Sequence, residues 1–254
     1  MALSLFDRLV DDTRLSTGGV ESVAAGFRPA ATGPLGRLVV ADHQLGRLEG
    51  LISDGTRWPV SAVNTSGAGG LTALARRRWT RLDVGSAESA LRDLDDLAGS
   101  AARVVAAAVV LDPELTLFIE LPHARGWERA VDIVEASGHL AKLTLGDVQP
   151  AVAAEQLSVL VEADLGFKIS GLPNGRLLPV MVTVAALVDG APPEDAAQLL
   201  TIGWDGAVEA VADWDEATAG RVRRRLRRWD SPEPGALLTE LREAGLLPAG
   251  VSPD

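Results

Sequence analysis

The sequence predicts an α/β fold of the (β/α)8 TIM-barrel-like class, formed by a single domain over residues 1–254. Strand-like and helix-like segments alternate roughly every 20 to 30 residues, which is typical of βα units in a parallel sheet. The length of 254 residues suits such a barrel, and 47% hydrophobic residues are enough for a large core. An open doubly wound sheet fits the same alternation, but the number of strand-like segments favours the closed barrel.

Seven segments rich in Val, Ile, Leu and Thr have the composition of β-strands. They are "SLFDRLV" at 4–10, "RLVVAD" at 37–42, "WPVSAVNT" at 58–65, "TRLDVG" at 80–85, "LTLFIEL" at 115–121, "LAKLTLG" at 140–146 and "GFKISGL" at 166–172. The eighth strand has three alternative places: "LLTIGW" at 199–204, "AVEAVADW" at 207–214, or a short segment near "RRWDSP". The eighth unit is therefore predicted to be irregular or incomplete.

Helices are predicted between the strands and after the seventh one. In "GWERAVDIVEAS", four apolar side chains share one helical face: Trp127, Ala130, Val131 and Val134. Pro150 suits the first turn of a helix in "QPAVAAEQLSVLVEA". The other predicted helices are "AESALRDLDDLAGSAARVVAAA" after Ser86, the apolar stretch 177–188, "PPEDAAQLL", the arginine-rich stretch 221–229, and "PEPGALLTELREAG" ending on Gly245.

The net charge limits the kinds of partner that the protein is expected to bind. Thirty-five acidic and 24 basic residues give a net charge of -11, which disfavours nucleic acid and membranes as partners. The local exception is "RVRRRLRRW" at 221–229, which holds six arginines. An anion-binding or nucleic-acid patch is one reading of this run, but a solvated helix face whose arginines pair with nearby acids is favoured.

Other composition features narrow the class further. The absence of cysteine excludes disulfides and thiolate chemistry, and it favours a cytoplasmic location. No apolar run reaches the roughly 20 residues that cross a bilayer, and the acidic start "MALSLFDRLVDD" predicts no secretory signal. No dinucleotide-binding or P-loop motif occurs, so no cofactor is predicted. The glycine-rich "TSGAGG" at 65–70 is interpreted as a flexible loop rather than an anion cradle.

Two residues stand out as candidates for chemistry: Lys142 and Lys168 are the only lysines among 24 basic residues. Side chains alternate along a strand, so the apolar neighbours of each lysine point to the helices and the lysine points inward. The same alternation directs Glu120 inward. Three successive strands thus aim Glu120, Lys142 and Lys168 at one interior, near the strand ends where barrel active sites lie.

Two amines in such a site repel each other's charged form. Together with desolvation, this lowers a lysine pKa from about 10.4 toward neutrality, where the free amine attacks a carbonyl. Glu120 opposes this unless it pairs with one lysine or is protonated. Two other interpretations stay open: a buried ion pair without chemistry, and non-covalent binding of an anion.

At these residues the chain resembles deoxyribose-phosphate aldolase and related class I aldolases. "AKLTLG" followed by "FKISG" is similar to their K-T-S-T-G-like and V-K-P-S-G-G-like strands. The resemblance implies that Lys142 forms the imine, that Lys168 lowers its pKa, and that Glu120 is the candidate for the proton-shuttling acid. Where the aldolases have a glycine pair ahead of an arginine, this chain has "SGLPNGR" at 170–176.

The whole chain resembles an uncharacterised bacterial family of barrel-like proteins. Its members carry an "LVDDAGLFPP"-like start, a strand ending in Glu, and "AKxRxGG" and "FKATAGLHHP" segments, which appear here as "LVDDTRLS", "LFIELP", "AKLTLGD" and "FKISGLPNGR". Thr144 stands at the arginine position, and Pro173 and Asn174 stand at the two histidine positions. These departures imply a diverged or an inactive member.

Two smaller groups have alternative interpretations. A metal site could be formed by Asp42, His43, Glu120 and His123, but no metal-binding spacing supports it and no metal is predicted. Asp11 and Asp12 end the first strand, where they fit either general acid–base groups or caps of the following turn.

Together these features predict an aldolase-like carbon–carbon lyase that uses a Schiff base on a small carbonyl substrate. The candidate catalytic residues are Lys142, Lys168, Glu120 and Asp11, and the candidate ligand-binding residues are Thr144, Ser170, Asn174 and Arg176. The alternative is a non-catalytic barrel, or pseudoenzyme, that binds a small anionic ligand or a protein partner. The oligomeric state stays open.

Overall fold

The computed structural model describes residues 5–16, 18–29, 32–53 and 55–248. Eight parallel strands pair in sequence order and close into a barrel, which confirms the predicted fold class. The strands are β1 (Val10–Asp12), β2 (Leu35–Ala41), β3 (Trp58–Asn64), β4 (Leu82–Ala90), β5 (Thr116–Glu120), β6 (Leu140–Thr144), β7 (Phe167–Ser170) and β8 (Leu226–Ser231).

The helices alternate with the strands up to β7 and then dominate. They are α1 (Val20–Gly26), α2 (Leu45–Leu51), α3 (Ala68–Arg76), α4 (Leu97–Ala108), α5 (Trp127–Ala136), α6 (Pro150–Glu162), α7 (Leu177–Val188), α8 (Pro193–Leu199), α9 (Trp204–Ala212), α10 (Glu216–Arg225) and α11 (Pro234–Glu243). Within the described ranges, no helix combines the length and the apolar character that a membrane span requires.

The chain packs as two compact units. The β2–β6 unit comprises the described residues within 12–30 and 37–144, and the β7–β8 unit comprises those within 1–11, 31–36 and 145–254. The assignment of the whole chain to one domain stays a prediction.

In the β2–β6 unit, β4 is longer than the sequence indicates. The predicted strand ends at residue 85 and is followed by a helix after Ser86, whereas β4 continues to Ala90 and α4 begins only at Leu97. Residues 86–89 pair with β3 on one side, and residues 86–90 pair with β5 on the other. This two-sided pairing outweighs the helix preference of the Ala and Glu residues in the segment, so the predicted start of the helix is wrong.

The outward faces of β5 and β6 confirm the predicted alternation. The side chains on these faces are at most 1% exposed: Leu117, Ile119, Ala141 and Leu143. The apolar face predicted for α5 is also buried, since its four members are Trp127, Ala130, Val131 and Val134. Burial of these faces fixes the register and turns the alternate residues of each strand to the opposite side of the sheet.

In the β7–β8 unit, the strand predicted over residues 4–10 is wrong for most of its length. Residues 5–6 are helical and the strand begins only at Val10, while Ser4 lies outside the described residues. Arg8 has a φ of 48°, a value that breaks an extended chain. The segment is apolar because Leu5 and Phe6 are core residues, not because it is a strand.

The eighth strand lies at the third of its predicted places. β8 spans the "RRWDS" segment and pairs in parallel with β7, with a register irregularity between Phe167 and Lys168. The other two places are wrong, because residues 199–204 connect α8 to α9 and residues 207–214 lie mostly in α9. The eighth strand is therefore present. The irregularity predicted for this part of the barrel consists of the shift in register between β7 and β8 and of three extra helices between these strands.

The arginine-rich run is half helix and half strand. α10 ends at Arg225, and the remainder belongs to β8, so the prediction of a single helix is wrong. Arg221 binds Asp189 at 3.0 Å and Arg225 binds Asp164, as the paired interpretation expects. Burial, together with the neighbouring charges of Arg228 and Arg227, lowers the pKa of Arg223 to about 10.

Candidate active site

Lys142 lies at the centre of a polar cluster in the β2–β6 unit. Its Nζ donates to Oε2 of Glu88 at 2.7 Å and lies 3.8 Å from Oε2 of Glu120. The three residues come from the adjacent strands β6, β4 and β5. Strand pairing places Glu120 beside Lys142 and Ala90 beside Glu120, so Glu88 and Lys142 approach each other across β5.

Two hydroxyl groups bind the carboxylates, and the five residues together form what we call the Lys142 cluster: Ser61, Glu88, Glu120, Lys142 and Thr144. Ser61 donates from Oγ to Oε1 of Glu88 at 2.8 Å, and Thr144 donates from Oγ1 to Oε1 of Glu120 at 2.9 Å. Each carboxylate thus accepts from a hydroxyl and faces the ammonium. The hydroxyls hold the carboxylates in fixed orientations.

The Lys142 cluster has a depth gradient that follows strand position. Ser61 and Glu88 are buried, whereas Glu120 and Thr144 are the last residues of β5 and β6. The Lys142 side chain is 11% exposed and that of Glu120 is 32% exposed. A small molecule that enters from the carboxyl ends of the strands therefore meets Glu120 and Thr144 first and Lys142 behind them.

This arrangement can move protons. Glu88 touches the ammonium directly and can accept its proton, while Glu120 is open to solvent and can exchange protons with a ligand. The cluster contains two carboxylates and one ammonium, so its formal charge is negative when all three are ionised.

Lys168 is held differently, in the β7–β8 unit. Its Nζ lies 2.8 Å from Oδ2 of Asp11 and 2.6 Å from Oδ1 of Asp230, and its side chain has 0% exposure. Gly36 makes room for this group, because a Cβ at that position would stand 2.4 Å from Oδ1 of Asp11. Two carboxylates enclose one ammonium, which is the arrangement expected of a structural ion pair in a protein interior.

The predicted set of Glu120, Lys142 and Lys168 is therefore distributed over two clusters. Contacts join Glu120 to Lys142, as predicted, and join Lys168 to Asp11. Glu88 and Asp230 were missed. Glu88 was missed because its segment reads as a helix, and Asp230 because β8 was placed only as one of three alternatives; alternation along either strand would have directed both inward.

The remaining predicted ligand residues lie at the end of β7 and in the loop that follows it. Asn174 donates from Nδ2 to the Glu233 carbonyl at 3.0 Å and accepts from Ser231 Oγ at 2.8 Å. Arg176 donates from Nη1 to the Leu200 carbonyl at 3.0 Å and lines a cleft of about 560 Å³. Ser170 is buried at the end of β7. Asn174 thus ties the loop together, while Arg176 is exposed at the cleft.

Of the aspartates named in the alternative interpretations, Asp12 and Asp42 stabilise turns, whereas Asp11 binds Lys168. Asp12 accepts from the Arg14 backbone N–H at 3.0 Å, which confirms the capping interpretation for this residue. Asp42 is partly buried, which raises its pKa, but hydrogen bonds from Thr65, Ser66 and His43 outweigh the burial and hold the pKa below its ordinary value. In the part of the chain that the structure describes, no group of three or more His, Asp or Glu side chains could hold a metal ion, so the metal alternative is not formed.

Compared with known proteins, the chain matches no protein-family model and no curated protein sequence. Neither resemblance drawn from the sequence gains support from these comparisons. Function has to be inferred from the geometry of the two lysine clusters.

Proposed function

We propose that the protein is a carbon–carbon lyase in which Lys142 forms a Schiff base with a small carbonyl substrate. The observation that carries the proposal is the 2.7 Å contact between Nζ of Lys142 and buried Glu88, beside the more exposed Glu120. Imine chemistry requires an amine that the substrate can reach, a group that takes its proton, and a second group that exchanges protons with the substrate. Glu88 and Glu120 fit these two roles.

The proposed reaction begins when Glu88 accepts a proton from the Lys142 ammonium. The free amine attacks the carbonyl carbon, and the resulting hydroxyl leaves as water with the proton from Glu88. The ammonium and the carbonyl thus give an iminium and water without net proton change. Glu120 then takes the proton of the substrate's β-hydroxyl, the carbon–carbon bond breaks, and its electron pair moves into the iminium to give an enamine.

The second half of the cycle restores the enzyme. The aldehyde fragment leaves, and Glu120 returns its proton to the enamine carbon to regenerate an iminium. Water then releases the second carbonyl product and the Lys142 ammonium. Thr144 orients Glu120 throughout, through the hydrogen bond of 2.9 Å.

Lys168 and Asp11 have no part in this proposal. Their roles as pKa perturber and proton carrier stay predictions, and their mutual contact of 2.8 Å with no exposure favours a structural pair. A nucleophile without access to solvent cannot meet a substrate, whereas Lys142 is reached past Glu120.

A non-catalytic barrel that binds a small anion is the second candidate. One observation favours it: the cleft of about 560 Å³ in the β7–β8 unit carries the exposed guanidinium of Arg176. A binder of this kind is stabilised against heat by phosphate or small carboxylates without any turnover, and Arg176→Ala removes the stabilisation.

Reductive trapping tests the lyase proposal directly. The protein is incubated with a panel of small aldehydes, ketones and keto acids in the presence of cyanoborohydride, and the adduct is mapped by peptide mass spectrometry. The expected result is a reduced adduct at Lys142 that Lys142→Met abolishes. A panel that leaves the Lys142 peptide unmodified contradicts the proposal.

A further inference from the structure

We infer that the Lys142 cluster takes an uncharged, hydroxyl-bearing aldehyde or ketone rather than a phosphorylated or carboxylated one. The inference rests on the proposed Schiff-base function and names its substrate class.

Two carboxylates lie close to the amine of Lys142. Glu88 lies at 2.7 Å and Glu120 at 3.8 Å from the amine nitrogen. The iminium keeps the single positive charge of the ammonium, so condensation does not change the charge balance. A phosphate on the substrate therefore adds like charge next to Glu120.

The three charged groups of the Lys142 cluster also differ in their exposure to solvent. Glu120 is the most exposed of the three charged groups, with 32% of its side chain accessible against 11% for Lys142 and 2% for Glu88. An incoming anion therefore meets a carboxylate before it meets the amine. A hydroxyl group donates to the same carboxylate and is attracted where the anion is repelled.

The hydroxyls of the cluster fit the same class of substrate. The Thr144 hydroxyl, exposed at the end of β6, donates to Glu120 and can accept from a ligand at the same time. Substrate hydroxyls can extend this series of hydrogen bonds without adding a charge to the cluster. A short polyhydroxylated aldehyde or ketone supplies both the carbonyl for Lys142 and the donors for Glu120.

Two arginines of the nearby loops lie outside the Lys142 cluster. Arg92 follows β4 and Arg125 follows β5, and both are exposed. Arg92 already binds the Thr65 carbonyl. Exposed charges are screened by salt, so these arginines offset the inner carboxylates only weakly.

The experiment compares matched pairs of carbonyl compounds that differ by one phosphate: glyceraldehyde against glyceraldehyde 3-phosphate, and dihydroxyacetone against dihydroxyacetone phosphate. Each is reacted with the full chain and cyanoborohydride, and the rate of adduct formation at Lys142 is divided by the rate at free Nα-acetyl-lysine. The expected ratio favours the uncharged member of each pair by at least about ten-fold. The Glu120→Gln variant, which removes the outermost charge, reduces this preference several-fold.

The outcomes separate the two claims. A preference for the phosphorylated members, or equal rates within each pair, overturns the substrate class and leaves the Schiff-base function standing. Failure of all four compounds to modify Lys142, while the broader carbonyl panel does modify it, also overturns the substrate class alone. If neither the four compounds nor the panel modifies Lys142, both claims fail together.

Discussion

At the scale of single residues, the two lysines differ in the burial of the carboxylates that lose a counter-ion when the lysine is removed. Lys168 separates two buried carboxylates, whereas Lys142 faces one buried and one partly exposed carboxylate. Breaking a buried ion pair by removing one partner strands the other charge in the interior. The cost of losing each lysine should therefore follow the burial of its partners.

We predict that Lys168→Met lowers the free energy of unfolding by about 3 to 5 kcal/mol, because Asp11 and Asp230 lose their shared counter-ion. Lys142→Met serves as the comparison and should cost less, since Glu120 can reach water. Urea unfolding followed by circular dichroism measures both. A Lys142→Met variant that is the less stable of the two contradicts the structural assignment of Lys168.

Glu88 gives a catalytic prediction. Glu88→Gln keeps the shape of the side chain but cannot take a proton from Lys142, so adduct formation at Lys142 should slow by about 10²- to 10⁴-fold. Glu114→Gln is the matched control, because Glu114 is exposed in the turn before β5. The initial rate of reductive trapping provides the measurement, and an unchanged rate in Glu88→Gln removes Glu88 from the mechanism.

At the scale of elements, the packing of Asp11 within the β7–β8 unit depends on one glycine. A Cβ at Gly36 would stand 2.4 Å from Oδ1 of Asp11 and 3.1 Å from the Arg8 carbonyl. Gly36→Ala should therefore cost about 1 to 3 kcal/mol of unfolding free energy through overpacking. Gly50→Ala, in the exposed part of α2 with open space around it, should instead stabilise by up to about 1 kcal/mol. Equal effects of the two substitutions in denaturant unfolding would refute the packing argument.

The loop after β2 gives a pH-dependent prediction. The pKa of Asp42 is held below its ordinary value of 3.8, so its contribution is present above the unfolded pKa and is lost as pH falls through the folded pKa. Asp42→Asn should cost about 1 kcal/mol of unfolding free energy at neutral pH. The difference from the wild type should vanish in strong acid. The exposed Asp83→Asn is the control, and urea unfolding over a pH series is the measurement.

The elements also show where sequence patterns inform and where they do not. β5 and β6 follow the predicted segments because one face of each is purely apolar and buried. β4 and β8 are not recognisable as strands from their sequences, because β4 is rich in small residues and β8 contains arginines. Both become strands through pairing with their neighbours. The Lys142 cluster was predicted in part: Lys142, Glu120 and Thr144 lie on recognisable strands, whereas Glu88 on β4 and Ser61 on β3 were missed.

At the scale of the whole molecule, the net charge of -11 governs long-range encounters despite the six clustered arginines. Two of these arginines are neutralised by acids, and Arg223 is directed to backbone carbonyls. We predict that the protein passes through a heparin column at about 0.1 M salt, since polyanion binding needs several free cations. An Arg224→Ala, Arg227→Ala double variant should behave identically. Retention of the wild type that the double variant loses would restore the nucleic-acid interpretation.

The placement of both lysines also has a consequence for the outside of the molecule. One ε-amine is sealed in the interior and the other is recessed behind Glu120, so the protein presents guanidinium groups to solvent where other proteins present amines. Free aldehydes condense with amines and hardly with guanidinium groups, which stay protonated at neutral pH. The lyase proposed above would thereby be spared condensation of its aldehyde substrates with surface lysines, and any aldehyde adduct on a lysine reports on one site.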